Sequence, residues 1–335
     1  MGNLQRLSFD EASAWFDELP VDQQIATLSP SYVVADAQRD KDLSPYFYGY
    51  REHQKFWLHG VHRSPIAGMD FFDHQSPYGY GGPVCNDDSA EFLGRAWSAY
   101  VRACHDERIL AEFIRLHPMT SGSCAYLGTV SVDRQTVFLD LTAADLRASY
   151  STRCRTAIRK ALNHEIETVW YEQTVTCPPF GPYYRDGMRS INAHDFYFFN
   201  DAYFEALQAL SNAELLICHR HGEWLSAGLF LTSGRMMEYH LSATTTEGRQ
   251  YGATNLLIDA AAHRARARGC TSLYLGGGTD AHIDNPLLFF KQSFSKLKRP
   301  FHIGFTTFWP DRYHALKRDY MQRADFNSRY LFYRN

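Results

Sequence analysis

Residues 214–243, ELLICHRHGEWLSAGLFLTSGRMMEYHLSA, constrain the fold more than any other stretch of this chain. Three apolar runs are separated by His221-Gly222 and Ser233-Gly234, turn pairs that join antiparallel strands. TTTEGRQYGATNLLIDAAAHRARARG follows directly, over residues 244–269. It is polar, turns on Gly252, then places apolar residues at helical spacing until Gly269 stops the helix. A strand, TSLYLGGG, and a short helix, NPLLFFKQSFSK, come next. A meander that feeds a helix and one more strand buries its apolar surfaces only as helix on sheet, which makes the fold class α/β.

The first 140 or so residues repeat the theme less clearly. Ser8 caps a helix with Phe9, Ala12, Trp15 and Phe16 at helical spacing. SPYFYGYREHQKFWLHGVHRS reads as two strands, SPYGYGGPVC as turns and DDSAEFLGRAWSAYVRACHDE as an amphipathic helix. Strands are expected at Leu110–Leu116 and Thr136–Leu141. Thr142 is expected to cap a helix through AADLRASYSTRCRTAIRKALNH, a strand follows at Ile166–Trp170, and two helices lie between 177 and 207. A domain boundary is expected near Thr142, with no Pro/Ser linker to mark it.

With 335 residues, 45% of them hydrophobic, the chain can form two packed domains. A formal net charge of −3 gives no global attraction for nucleic acid. Aromatic residues reach 15% and cluster at 46–50, 71–80, 183–203 and 301–309, where they suit a core or an aromatic-lined cleft. The seven cysteines, including Cys124, form no C-x-x-C pair, so reduced thiols in a cytoplasmic protein are expected. The N-terminus has no signal-peptide layout, and no apolar run is long enough to span a membrane. His59-x-x-His62 and His219-x-His221 lack companion ligands at a standard spacing, so no metal site is expected.

One stretch points to chemistry on physical grounds. Arg249-x-x-Gly252-Ala253 immediately precedes a helix. A helix N-terminus offers unpaired N–H groups and the positive end of the helix dipole, and glycine lets backbone approach a ligand, so this segment suits a phosphate.

The order strand–strand–strand, R-x-x-G-A, helix, strand, helix, strand resembles the core of the GNAT acyltransferases. EFIRLHP, TVFLDLTAADLRASYSTRCRTAIRKAL, GMRSINAHDFYFFNDAYFEAL, MEYHLSATTTEGRQYGATNLLIDAAAHRARARG, LYLGGG and NPLLFFKQSFSK occur in this order over residues 112–296. Together they resemble the Fem-like branch of that superfamily, which includes the peptidoglycan-bridge aminoacyltransferases. The resemblance implies two tandem GNAT-like domains, each a mixed, largely antiparallel sheet flanked by helices. The first would cover 1–142, with 310–335 returning to it, and the second 143–309.

The resemblance also implies an acyltransferase. It would form an amide by moving an aminoacyl or acyl group from an activated donor to an amine of a cell-wall, polysaccharide or small-molecule acceptor. Aminoacyl-tRNA is the favoured donor and acyl-CoA the alternative, with no tightly bound cofactor and a monomeric chain. Phe290-Lys291 matches the family's Phe-Lys pair, in which the lysine holds acceptor phosphates and stabilises developing negative charge. Arg189 matches an arginine lining the acceptor cleft and Tyr239 a cleft tyrosine, while Tyr197 joins them as a substrate-binding candidate. Arg249, Gly252 and Ala253 would face the donor's phosphates. His240, next to Tyr239, is an alternative general base on the opposite face of its strand.

The chain departs from the family pattern at His117-Pro118, where Fem enzymes usually carry Asp-Pro. His117 is a candidate proton acceptor at that place. The helical-hairpin arm of several Fem proteins is absent. The helix with Arg147, Arg153, Arg155, Arg159 and Lys160 is a concentrated basic feature, either a solvated face or a contact for tRNA phosphates. Two readings of other classes stay open: a non-catalytic sugar- or nucleotide-binding protein, and a tRNA-binding module.

Overall fold

The computed structural model describes residues 2–120, 125–172, 177–282, 284–323 and 326–334. In chain order, the first stretch holds β1 (Asn3–Leu7), α1 (Phe9–Asp17), α2 (Pro30–Ala37), β2 (Ser44–Glu52), β3 (Lys55–Pro65), β4 (Phe72–Gln75), β5 (Val84–Cys85), α3 (Ala90–Asp106) and β6 (Ile109–Leu116). The middle holds β7 (Thr129–Asp140), α4 (Thr152–Asn163), β8 (Glu167–Tyr171), α5 (Phe180–Ser190), α6 (Asp201–Gln208), β9 (Ala213–Arg220), β10 (Glu223–Ser233) and β11 (Met236–Thr244). It continues with α7 (Thr246–Tyr251), α8 (Ala253–Ala267), β12 (Ser272–Gly277) and α9 (Pro286–Gln292), and the chain closes with β13 (Lys298–Thr307) and α10 (Pro310–Tyr320).

These elements form two compact units. Unit one takes 1–23, 27–133 and 301–335, and unit two takes 24–26 and 134–300. In unit one the strand order is β1-β2-β3-β4-β6-β13, with β5 paired to β3. In unit two it is β7-β12-β11-β10-β9-β8. The two orders match. Each has a meander, a helix, and a strand that returns parallel to the meander's last strand: β6 beside β4, and β12 beside β11. Each is finished by an antiparallel strand, and for unit one that strand comes from far along the chain. β7 follows β6 in the chain but pairs β12, and β13 follows β12 but pairs β6. Mixed, largely antiparallel pairing with flanking helices is the α/β class that the sequence resemblance implied.

Local chemistry sets the elements. Ser8 and Glu11 form a reciprocal capping box at α1, worth about 1 kcal/mol. In unit two, α8 lies on the sheet through Leu257, Ile258, Ala261 and Ala265, all almost fully buried against Phe230, Met237 and Leu273. In unit one, α3 buries Phe92, Ala96, Tyr100 and Cys104 against Tyr48, Trp57 and Ile114.

Three local expectations are corrected. Thr142 caps no helix: its hydroxyl donates to Asp140, the chain makes a 3-10 turn at Leu146–Ser149, and Ser151 caps α4 instead. The segment between β11 and α8 is not all loop, because α7 occupies it, capped by Thr245. β1 and α2 were not expected, the first because NLQRL shows no alternation. Six cysteines are free thiols, and Cys124 lies outside the described residues.

Candidate functional site

The two units differ where their parallel strands end. In unit two the β11–β12 ladder covers only Met236↔Ser272 to Glu238↔Tyr274. β11 then runs on to Thr244 and β12 to Gly277 with no ladder between them. Irregularities help them part: β10 shifts register between Leu229 and Phe230, and β12 shifts between Tyr274 and Gly276, where Gly276 has φ +75°. Strand ends that separate leave backbone N–H and C=O groups for a ligand. In unit one the matching opening is closed. Beyond the β4–β6 ladder, Ser76 N donates to Phe113 O, Gly81 N donates to Arg115 O, and Gly81 bridges Leu116.

Lys291 stands at the open end of β12. It lies in the last turn of α9, whose N-terminus is capped by Asn285 accepting from Leu287 N and Leu288 N at 3.1 Å each. Asn285 also donates to Thr279 Oγ1 at 2.7 Å, and Gly278 has no Cβ because one would collide with this Asn285 side chain. Lys291 Nζ donates to Gly277 O at 2.7 Å, and Arg134 donates to Gly278 O at 3.0 Å. The lysine is buried, and desolvation lowers its amine from the ordinary 10.5 to about 7. Phe290 beside it is half-buried, edge-on to Phe294 with ring centres 5.4 Å apart.

The other candidates are spread over several elements. Tyr239 on β11 stacks on Phe230 at 5.3 Å and donates to Ser242, and burial raises its phenol to about 12. His240 points to the other face, with Nε2 3.4 Å from the Tyr203 hydroxyl. Arg189 is exposed on α5 and pairs with Asp186 one turn before it. α5 approaches β11 closely at Gly187, where a Cβ would sit 2.6 Å from the Ala243 Cβ. Tyr197 ends a 3-10 turn, half-buried, with its ring 5.4 Å from Phe196. His117 belongs to unit one. It is buried just after β6, edge-on to Tyr80 at 4.7 Å, and its Nδ1 accepts from Met119 N at 3.2 Å.

Arg249, Gly252 and Ala253 occupy the α7–α8 junction. Gly252 is left-handed, with φ +80°, and α4 crosses directly over it: a Cβ there would lie 2.6 Å from the Ala157 carbonyl oxygen. Gly252 and Ala253 are therefore buried beneath α4. Lys160 of α4 adds a bond to Gln250 O at 2.8 Å. Arg249 is exposed, but its guanidinium donates to Thr244 O at 2.7 Å and Thr246 Oγ1 at 3.1 Å.

Comparison with known proteins fits this geometry. Residues 152–283 match the acetyltransferase (GNAT) domain family. The matched stretch lies within the second unit. The whole chain has the fold of FemX, with 14% identity and a TM-score of 0.71 over 94% of this chain and 99% of that one. It is also similar to the C-terminal domain of a putative lysylphosphatidylglycerol synthetase from Agrobacterium fabrum (13% identity, TM-score 0.59, covering 89% of this chain and 92% of that one). A tandem GNAT protein from the clavulanic acid biosynthesis pathway shares the fold at 8% identity and a TM-score of 0.52, over 92% of this chain and 99% of that one. No curated protein sequence matches.

Within the second unit, the structure brings Lys291, Gly277 and Phe290 together at the end of β12, with Tyr239 on the strand that parts from it. It keeps Arg249 at the far end of β11, and Arg189 and Tyr197 on α5 and the turn that follows. The sequence reading missed Asn285 and Arg134, which fix the glycine run. Asn285-Pro286 before an apolar run is a helix N-cap signature and could have flagged the first. Arg134 lies in an unremarkable polar stretch and gave no signal.

Proposed function

We propose that this protein is an acyltransferase that forms an amide by direct attack of an acceptor amine on an activated acyl group. The observation that carries the reading is the buried Lys291 amine at the open end of β12, within the unit that matches the GNAT family. Its amine is bonded to a carbonyl, in a site dry enough to lower its proton affinity to about 7. A protonated amine there stabilises the oxyanion of the tetrahedral intermediate, and it is acidic enough to hand its proton to the leaving oxygen. Tyr239 lines the site, Phe290 holds the lysine's helix against the core, and Arg189 orients an anionic acceptor. His117 is proposed as a further proton acceptor, on the strength of the sequence resemblance alone.

Aminoacyl-tRNA is the donor favoured here. Gly252 and Ala253 lie under α4, which argues against a pyrophosphate seated on their backbone. Arg249 alone of the three is exposed, which suits a phosphate that passes over the surface. The FemX-like fold leans the same way. The acceptor would be an amine of a cell-wall, polysaccharide or small-molecule compound. The test is to incubate the purified protein with labelled aminoacyl-tRNA, or with labelled acetyl-CoA, and an amine panel that includes a peptidoglycan precursor. Amide product from the tRNA donor supports the reading. Product from acetyl-CoA alone moves the donor to acyl-CoA, and no product with either donor rejects acyl transfer.

A further inference from the structure

A polar cluster lies under α3 in unit one. It joins His59 of β3, His74 of β4 and Glu112 of β6 to Tyr100 and Cys104 of α3, all of them fully buried. Tyr48 of β2 extends the cluster, and its hydroxyl donates to the half-buried Glu107 at 2.8 Å. Polar atoms this deep are tolerated only where they find partners.

Counting protons along the cluster fixes the state of His74. Its Nδ1 lies 2.9 Å from the Tyr100 hydroxyl, and its Nε2 lies 3.4 Å from the Tyr48 hydroxyl. Burial raises both phenols far above their ordinary range, so both keep their protons. Each has one proton and gives it to a carboxylate: Tyr100 to Glu112, and Tyr48 to Glu107. Both phenol oxygens therefore offer only lone pairs to the imidazole. A neutral imidazole has one N–H and can serve one of them. The shorter contact places that proton on Nδ1, donated to Tyr100. Nε2 then meets the Tyr48 oxygen lone pair to lone pair, which accounts for the longer separation. Cys104 Sγ, 4.0 Å from Nδ1, is too distant to compete.

A second proton, on Nε2, would supply the missing bond. The surroundings pull on it in both directions. Glu112, 3.7 Å from Nδ1, and Glu107, beyond Tyr48, favour the imidazolium, while burial and the nearby His59 oppose it. Burial prevails and lowers the proton affinity of His74 below that of an ordinary histidine. Glu107 and Tyr48 also provide a route from solvent. A proton taken up by the Glu107 carboxylate passes to the Tyr48 oxygen as Tyr48 hands its own to Nε2, which leaves both groups as they began.

We propose that His74 is a buried proton switch: the Nδ1–H tautomer near neutral pH, and in acid an imidazolium that bridges Glu107 and Glu112 through Tyr48 and Tyr100. The second proton turns two separate hydrogen-bonded pieces into one unbroken chain from the end of α3, through β2 and β4, to β6. The proposal is independent of acyl transfer, because the cluster shares no residue with the Lys291 site.

The test is long-range proton–nitrogen NMR of the full chain with its histidine ring nitrogens isotopically labelled. The His74 signals are those lost in His74→Gln or, if that variant does not fold, those that Tyr48→Phe shifts. The expected neutral spectrum has a protonated Nδ1 and a bare Nε2. The Nε2 signal should move to the imidazolium position at a pH below the midpoint of an ordinary histidine, with the chain still folded. Tyr48→Phe removes the second acceptor and should lower the proton affinity of His74 about tenfold, leaving the Nδ1–H tautomer in place. An Nε2–H tautomer, an imidazolium already present at neutral pH, or a neutral ring that persists until the chain unfolds would each overturn the proposal. So would a midpoint that Tyr48→Phe leaves unchanged.

Discussion

Lys291 Nζ donates to the carbonyl oxygen of Gly277 at 2.7 Å, joining the last turn of α9 to the last residue of β12. No ion pair to Lys291 is present among the described residues, and the amine is lowered to about 7 by burial alone. Lys291→Met keeps the stem and removes the charge. Under the proposed mechanism it should lower turnover by about 10²–10³-fold with unchanged far-UV circular dichroism. Activity within twofold of wild type would remove Lys291 from the chemistry.

The same shift has a stability consequence. The folded amine titrates near 7 and the unfolded one near 10.5, so between those values the unfolded chain binds more protons. Wild-type stability should therefore gain from this group as pH rises from about 7 toward 10.5. Burying the ammonium is most costly below about pH 7. Urea unfolding of wild type and Lys291→Met across this window should show the advantage of the variant shrinking as pH rises. A gap constant with pH would mean that the buried amine has no lowered proton affinity.

Gly252 and Gly269 have nearly the same backbone, with φ +80° and +81°, but different surroundings. Space beside Gly269 is open, while the Ala157 carbonyl fills the space beside Gly252. Gly269→Ala should cost about 1 kcal/mol from the left-handed conformation alone. Gly252→Ala should cost clearly more, about 3 kcal/mol, because α4 must also move. Equal midpoints in urea would show that α4 does not cover the junction in solution.

Arg249 reaches solvent from the end of α7. If donor phosphate passes there, Arg249→Ala should raise KM for the donor about tenfold with little change in kcat. Steady-state kinetics at two salt concentrations would separate this from a change in chemistry. A loss confined to kcat would contradict a phosphate-binding role.

Glu112 is fully buried in unit one, 3.2 Å from His59 Nε2 and 3.7 Å from His74 Nδ1, and it accepts from Tyr100. Burial pushes its carboxyl up, but His59 and His74 outweigh that and hold it down to about 2. Its contribution to stability is therefore fully present above the unfolded value of 4.5 and is lost as pH falls toward 2. Glu112→Gln should cost about 3 kcal/mol at neutral pH, and the gap from wild type should narrow below about pH 4. A gap that does not narrow in acid would show that the carboxylate's charge contributes nothing.

The β9–β11 meander was legible because alternating apolar runs and His221-Gly222 and Ser233-Gly234 turns are local signals. α7 was not, because TEGRQY is short and polar, and its formation depends on Thr245 capping and on Gly248 packing against the Leu225 carbonyl. The covering of Gly252 is beyond sequence reading for a different reason. It depends on Ala157, from a helix distant in the chain. Lys291 could be marked as a candidate from Phe290-Lys291, but its burial, which gives it unusual acidity, appears only when α9 packs beside β12.

The return of β13 to pair β6 bears on how the chain acquires its structure during synthesis. Nearly all of unit two comes from one continuous run, 134–300. Unit one waits for β13 and the residues after it. On a ribosome, the unit begun first is thus the unit completed last, with the β6 edge unsatisfied until β13 has been translated. A chain truncated before β13 would keep nearly all of unit two but leave unit one without the strand that pairs β6.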